Sequence, residues 1–328
     1  MLRQAQLKAW LATYYPEPIH LEFAAADAEF RRYFRLFLPD GHCFIIMDAL
    51  PHKMHIASYI QVREQFSMLN VPKIFRFNQK KGFMVLEDMG DTTYLTACMH
   101  STDHAYHQAL LFDAVDELIT LQQASQPNCL PIYHALLLRK EVEEFIAWFC
   151  RYELQHPFNP RQKACWDAFL AILLPALTQQ PKVFVHHDYM VRNIMYTGAR
   201  PGILDFQDAV YGPITYDIAS LLKDAFIEWD ETLIHNVALR YWTQAQAAHL
   251  PVPNIFSVFC QTVDWMSIQR HLKVIGVFAR LYHRDGKKQY LPEIRRFLNY
   301  LDQTTSRYKV FWPFNQLLHE LTDHYVVS

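Results

Sequence analysis

Between residues 183 and 195 the chain reads VFVHHDYMVRNIM, in which His186, Asp188 and Asn193 form the pattern His-x-Asp-x-x-x-x-Asn. A further carboxylate, Asp205, follows the apolar pair Ile203-Leu204 seventeen residues after Asp188. An Asp and an Asn on one polar loop, with a second Asp at the end of the next strand, suit phosphoryl transfer from a metal–nucleotide complex. The transferred group needs positioning and charge neutralisation more than covalent help. Magnesium takes hard oxygen ligands and keeps several waters, so the amide of Asn193 and the carboxylate of Asp205 are candidate ligands. Asp188 is then left to accept the proton of an attacking hydroxyl. His186 is expected to brace the loop from within the core.

These residues need elements to hold them. An alternating run from Phe30 to Leu38, the turn Pro39-Asp40-Gly41 and the run Cys43 to Asp48 predict a β-hairpin. Ile56 to Leu69 has helical spacing and stops at Val71-Pro72. Ile74 to Phe77 and Phe83 to Glu87 predict two more strands. After Gly90 the texture changes. His104 to Ala124 carries Leu110, Leu111, Ala114, Val115, Leu118 and Leu121 on one helical face. Tyr133 to Leu154 and Pro160 to Leu177 predict further helices. VFVHH, NIMY and GILDF then form a small β insert, and nearly everything from Ile214 onward is helix-patterned. The boundary falls near residues 87 to 92, between a β-rich lobe at 1–88 and a mostly helical lobe at 89–328.

Composition narrows the function. The 328 residues are 51% apolar, enough for a large core, and the 31 basic against 33 acidic residues leave a net charge of -2. That balance argues against a nucleic-acid footprint or a cationic membrane-surface protein. The six cysteines form no CxxC pair, so reduced thiols in a cytoplasmic setting are expected. No run of 18 apolar residues predicts a membrane span, and the N-terminal apolar run breaks too early for a signal peptide.

The HxDxxxxN loop with Asp205 resembles the catalytic loop and metal-binding Asp of protein-kinase-like phosphotransferases. His-x-Asp in place of His-Arg-Asp, together with Tyr216-Asp217-Ile218-Ala219, resembles the aminoglycoside phosphotransferase branch. A closer resemblance covers nearly the whole chain. FRRYFR near the start, LEDMGDTTYL at 86–95, GILDFQDAVYGPITYDIASLLKDAF at 202–226 and QRHLKVIGVFARLYHRDGK at 269–287 are similar to the N-acetylmuramate/N-acetylglucosamine anomeric kinases. The resemblance implies an α+β, two-lobed protein-kinase-like fold. It also implies an enzyme that uses ATP and Mg2+ to phosphorylate the 1-hydroxyl of a cell-wall amino sugar during peptidoglycan recycling. Asp188 takes the base position, Asn193 and Asp205 the metal positions, and Asp217 the place of a buried Asp that steadies the loop backbone. Glu87 to Met89 falls at the hinge, where the backbone meets adenine.

Two departures stand out. Ala24-Ala25-Ala26-Asp27-Ala28 replaces a Gly-rich loop, and Ile46, Met47 or Asp48 stands where a third-strand Lys is expected, which leaves Glu64 without its usual ion-pair partner. Arg32 or Arg35 is expected to reach the phosphates instead, since Arg binds phosphate bidentately. Glu141, Arg270 and His271 are candidates for sugar contact, Arg270 for a lactyl carboxylate, with Asp208 and Asp224 weaker candidates. Other readings remain beside this one: a kinase of another small alcohol or an aminoglycoside, a pseudokinase scaffold, and a zinc site at His186, His187 and Asp188. Placed on one strand, His186 and His187 would face opposite ways and grip no common ion. His100, His104 and His107 have helical spacing for a metal, but a solvated helix start capped within Ser101 to Asp103 is the simpler expectation.

Overall fold

A computed structural model describes residues 2–15, 18–26, 31–51 and 56–326. In chain order the elements are α1 (Leu2–Leu11), β1 (His20–Ala26), β2 (Arg31–Phe37), β3 (Cys43–Ala49), α2 (Ile56–Gln65), β4 (Ile74–Asn78), β5 (Phe83–Glu87), α3 (Tyr94–Met99) and α4 (His104–Gln123). There follow α5 (Ala135–Glu144), a π-helical stretch Phe145–Glu153, α6 (Pro160–Thr178), β6 (Lys182–Val185), β7 (Ile194–Met195), β8 (Gly202–Ile203) and β9 (Val210–Pro213). The chain closes with α7 (Tyr216–Leu222), α8 (Glu231–Ala247), α9 (Phe256–His283), α10 (Ile294–Arg307) and α11 (Trp312–Val326). Two compact units result: residues 1–97 with 193–208, and residues 98–192 with 209–328. Among the described residues no helix is long and apolar enough to cross a membrane.

In the first unit an antiparallel sheet has the order β1-β2-β3-β5-β4. Its strands alternate, so each face has its own residues. Phe34 and Leu36 of β2, Ile46 of β3, and Phe83 and Val85 of β5 cluster with Leu7, Trp10 and Leu11 of α1. Arg31, Tyr33 and Arg35 fall on the other face. The helix α1 was not expected, although Leu7, Trp10 and Leu11 have helical spacing. The predicted hairpin forms, with Arg31 opposite Ala49 and Phe37 opposite Cys43. Phe30, Asp27 and Ala28, which entered the expectations above, lie outside the described residues. A short ribbon pairs β7 with β8, Ile194 opposite Ile203 and Met195 opposite Gly202. A Cβ on Gly202 would meet Met89 Cε at 2.8 Å, so a larger residue there would make the Met89 side chain shift.

The second unit is helical around the β6–β9 pair. Asp103 caps α4 by accepting from Ala105 N, and Asn159 opens α6 with a reciprocal capping box to Gln162. The span from Tyr133 to Leu154 is not one α-helix: winding changes to π at Phe145. The change falls where α9 crosses. A Cβ on Gly276 would stand 2.3 Å from the Glu144 carbonyl carbon and 2.5 Å from Phe145 N.

Candidate active site

In the second unit, β6 ends at Val185, so the strand predicted through His187 stops short. The cause is Asp217. Its carboxylate accepts from His186 N at 2.6 Å and from His187 N at 3.0 Å, which takes both groups out of any ladder. His187 then adopts φ +81, a conformation rare for non-glycine residues and typical of functional loops. Adjacent-strand geometry therefore does not describe His186 and His187. His186 is buried, and its Nδ1 accepts from Asp188 N at 3.3 Å. One turn on, Asp224 Oδ2 accepts from Val191 N at 3.1 Å and Oδ1 from Phe226 N at 2.8 Å. Two buried carboxylates thus fix the loop on either side of Asp188. Burial pushes both Asp217 and Asp224 above the usual carboxyl range, against the N–H groups that favour their ionised forms.

Asp188 is enclosed among cations. Burial alone would raise its carboxyl, but Lys273, His187, Arg192 and Arg270 outweigh burial and hold it below the usual range. Lys273, on α9, reaches His187 Nε2 at 2.9 Å and Tyr216 OH at 3.0 Å, and pairs with Glu141 Oε1 at 3.4 Å. Glu141 also pairs with His187 and accepts from Tyr133 OH and Gln269 Nε2.

In the first unit the ribbon brings the proposed metal ligands together. Leu204 N donates to Asn193 O at 2.9 Å, continuing the β7–β8 register, so Asn193 and Asp205 flank the same end. Asp205 leaves the ribbon at φ +62. An amide oxygen and a carboxylate at one ribbon end are hard donors, and the set fits magnesium. Gln207 Nε2 bridges Asp205 Oδ1 at 2.9 Å and Asp208 Oδ2 at 3.0 Å.

The remaining candidates fall as follows. Arg32 pairs with Asp48, which Arg3 of α1 also binds, so Arg32 lies on the α1 face of the sheet. Arg35 lies on the opposite face and pairs with Asp88 and Asp91. Glu87 receives Lys73 N at 3.1 Å and Lys73 Nζ at 3.2 Å, and Glu64 is exposed. Arg270 is 3% exposed, its guanidinium 5.2 Å from the Tyr216 ring centroid. Among the described residues its Nε and Nη1 have no hydrogen-bond partner. His271 is packed against Phe297 and Tyr300, and burial pushes its imidazole well below the usual range, helped by Arg270 and Lys223. His104 bonds Asp230, and His107 bonds the carbonyls of Cys98 and Ser101.

Residues 20–253 match the model of the phosphotransferase enzyme family. This chain belongs to that family. The phosphotransferase is 50% identical to an N-acetylmuramate/N-acetylglucosamine kinase of Neisseria meningitidis serogroup B, over 98% of its own chain and 96% of that protein. A kinase of the same name from Pseudomonas putida is 42% identical over 92% and 88%. An ADP-bound aminoglycoside phosphotransferase matches in structure with a TM-score of 0.61 at 14% identity, covering 92% of this chain and 98% of that one. That likeness establishes the protein-kinase-like fold the motifs implied.

Sequence reasoning missed three residues of the phosphotransferase. Arg31 is buried, its guanidinium near both Asp205 and Asp208. Lys273 and Tyr216 meet beside Asp188. The signal for Arg31 was the period of two along RRYFR, which separates it from Arg32 once one face is known to carry α1. Lys273 stands four residues after Gln269 and three before Gly276, one helical face.

Proposed function

We propose that this phosphotransferase moves the γ-phosphoryl of ATP to the anomeric 1-hydroxyl of N-acetylmuramate and N-acetylglucosamine, in the cytoplasm, as a step of peptidoglycan recycling. The observation that carries the reading is Asp188: a partly exposed carboxylate held ionised beside Lys273, on a loop whose backbone two buried carboxylates secure. The near full-length likeness to amino-sugar kinases supports the acceptor. Six free thiols suit a reducing compartment.

Asp188 orients the sugar hydroxyl and takes its proton as the bond from O1 to the γ-phosphorus forms and the bond from that phosphorus to the leaving ADP breaks, since an ionised carboxylate is competent at neutral pH. Asp217 and Asp224 keep the loop from relaxing, so the base meets its acceptor without reorganisation. Asn193 and Asp205 would hold magnesium, which when bound would supply positive charge to offset that developing on the transferring phosphoryl group. The backbone of Glu87 to Met89 receives adenine. Arg270, short of partners and stacked on Tyr216, supplies a guanidinium for the lactyl carboxylate of the muramic sugar.

The test is incubation with Mg-ATP and a panel of amino sugars, with NMR to locate the phosphate. A sugar 1-phosphate is expected. Asp188→Asn and Asp205→Ala should each leave less than about a tenth of wild-type turnover with the fold intact by circular dichroism. Turnover above that level in either variant removes that residue from the mechanism.

A further inference from the structure

The sheet face opposite α1 carries a buried cation with no assigned task. Arg31 Nη1 stands 3.7 Å from Asp205 Oδ1 and Nη2 stands 3.8 Å from Asp208 Oδ2, with 5% of the Arg31 side chain exposed. Both are ion-pair separations, longer than a hydrogen bond. The other arginines of β2 are engaged elsewhere: Arg32 with Asp48 on the α1 face, Arg35 with Asp88 and Asp91. Tyr59 of α2 closes the same spot from the side, with its ring 4.7 Å from that of Phe206.

Charge then decides what the spot accepts. One guanidinium and the carboxylates of Asp205 and Asp208 sum to one negative charge. A divalent cation on Asp205 turns the sum to one positive charge, which calls for an anion within reach of Arg31. A planar fork of N–H donors matches phosphoryl oxygens. Resting on the kinase reading above, we propose that Arg31 is the phosphate-binding cation of this enzyme. In the resting protein it neutralises Asp205 and Asp208. When the metal–nucleotide complex arrives, it turns to the terminal phosphoryl oxygens, doing the work of the lysine that β3 lacks.

Calorimetric titration separates this from a structural role. Wild type, Arg31→Ala, Arg31→Lys and Arg32→Ala are each titrated with Mg-ATP, and adenosine affinity is read by competition. Arg31→Ala should weaken Mg-ATP about tenfold to a hundredfold, the range for a lost charge-assisted pair. Adenosine should stay within about twofold, which also certifies the fold. Arg31→Lys should recover part of the loss, since the charge returns without the fork. The proposal is overturned if Arg31→Ala binds Mg-ATP as wild type does, if ATP and adenosine weaken equally, or if the loss appears in Arg32→Ala instead. Failure of the wild-type protein to bind any nucleotide would defeat the kinase reading itself.

Discussion

Asp188 owes its ionised state to neighbours that override its burial, and Lys273 leads them. In its proposed role as base, Asp188 with a lowered pKa is competent from neutral pH down to that value, and activity is expected to fade only below it. Removing the cation lets burial act unopposed and raises the pKa. Lys273→Met should therefore move the acid limb of the kcat/KM profile upward by about one pH unit or more. Lys273→Arg should restore much of it. An unmoved limb with reduced kcat would mean that Lys273 acts only by packing. Glu141 obeys a related rule. Burial raises it, but Lys273 and His187 hold it well below its ordinary value. Its share of stability is thus complete above the usual glutamate range and drains away as pH falls below about 4.5. Glu141→Gln should unfold more easily at pH 7 by about 1–2 kcal/mol, because Lys273 loses one of its two nearby carboxylates and keeps Asp188. The deficit relative to wild type should narrow in acid, and urea titrations at pH 7 and at pH 4 measure it. At this scale spacing singled out Asp188, Asn193 and Asp205 as candidates, and the family resemblance supplied the roles proposed for them. Lys273 and Tyr216 stood inside segments that carried the resemblance but had no role of their own, because that role comes from a helix crossing that no local pattern encodes.

Gly276 sets that crossing. The backbone of α9 passes so close to Glu144 and Phe145 that a methyl group has no room. Gly276→Ala must push α9 outward, at a cost of about 1–3 kcal/mol for an overpacked contact. The displacement also draws Lys273 away from Glu141 and His187. The variant should therefore lose stability in thermal melts and repeat, in weaker form, the pH shift of Lys273→Met. A melt lowered with an unchanged pH profile would separate the crossing from the base. Elements of this kind were unevenly legible. Apolar patterning gave α4, α6 and four of the five strands of the sheet to within a few residues, but not β1, whose Ala24-Ala25-Ala26 was read as a loop. It missed the π winding after Phe145, since an i+4 and an i+5 pattern place nearly the same side chains inward. It overran β6, since the diversion at His186 comes from Asp217, 31 residues away. It left Arg32 and Arg35 as equal candidates for the phosphates, because the α1 helix, which puts Arg32 on the covered face of the sheet and Arg35 on the other, was not foreseen.

The thiols report on the molecule as a whole. Cys98 and Cys150 are buried, whereas Cys43, Cys129, Cys165 and Cys260 are partly exposed. Burial, with Asp224 nearby, pushes the Cys98 thiol up to about 11, and burial pushes Cys150 higher still. A protonated, enclosed thiol does not react with an alkylating agent. At neutral pH, iodoacetamide should therefore modify no more than the four partly exposed cysteines of the native protein, and all six after denaturation. Slow labelling of Cys150 then measures how often the core around the π-helical stretch opens. A ligand that binds only the folded protein suppresses that opening in proportion to its saturation. Mg-ATP at about a hundred times its dissociation constant should slow Cys150 labelling about a hundredfold, equivalent to about 2.7 kcal/mol. Peptide mass spectrometry over a time course reads each cysteine separately. A Cys150 rate unchanged by Mg-ATP would show that this thiol opens by local fraying rather than by loss of the fold that binds nucleotide.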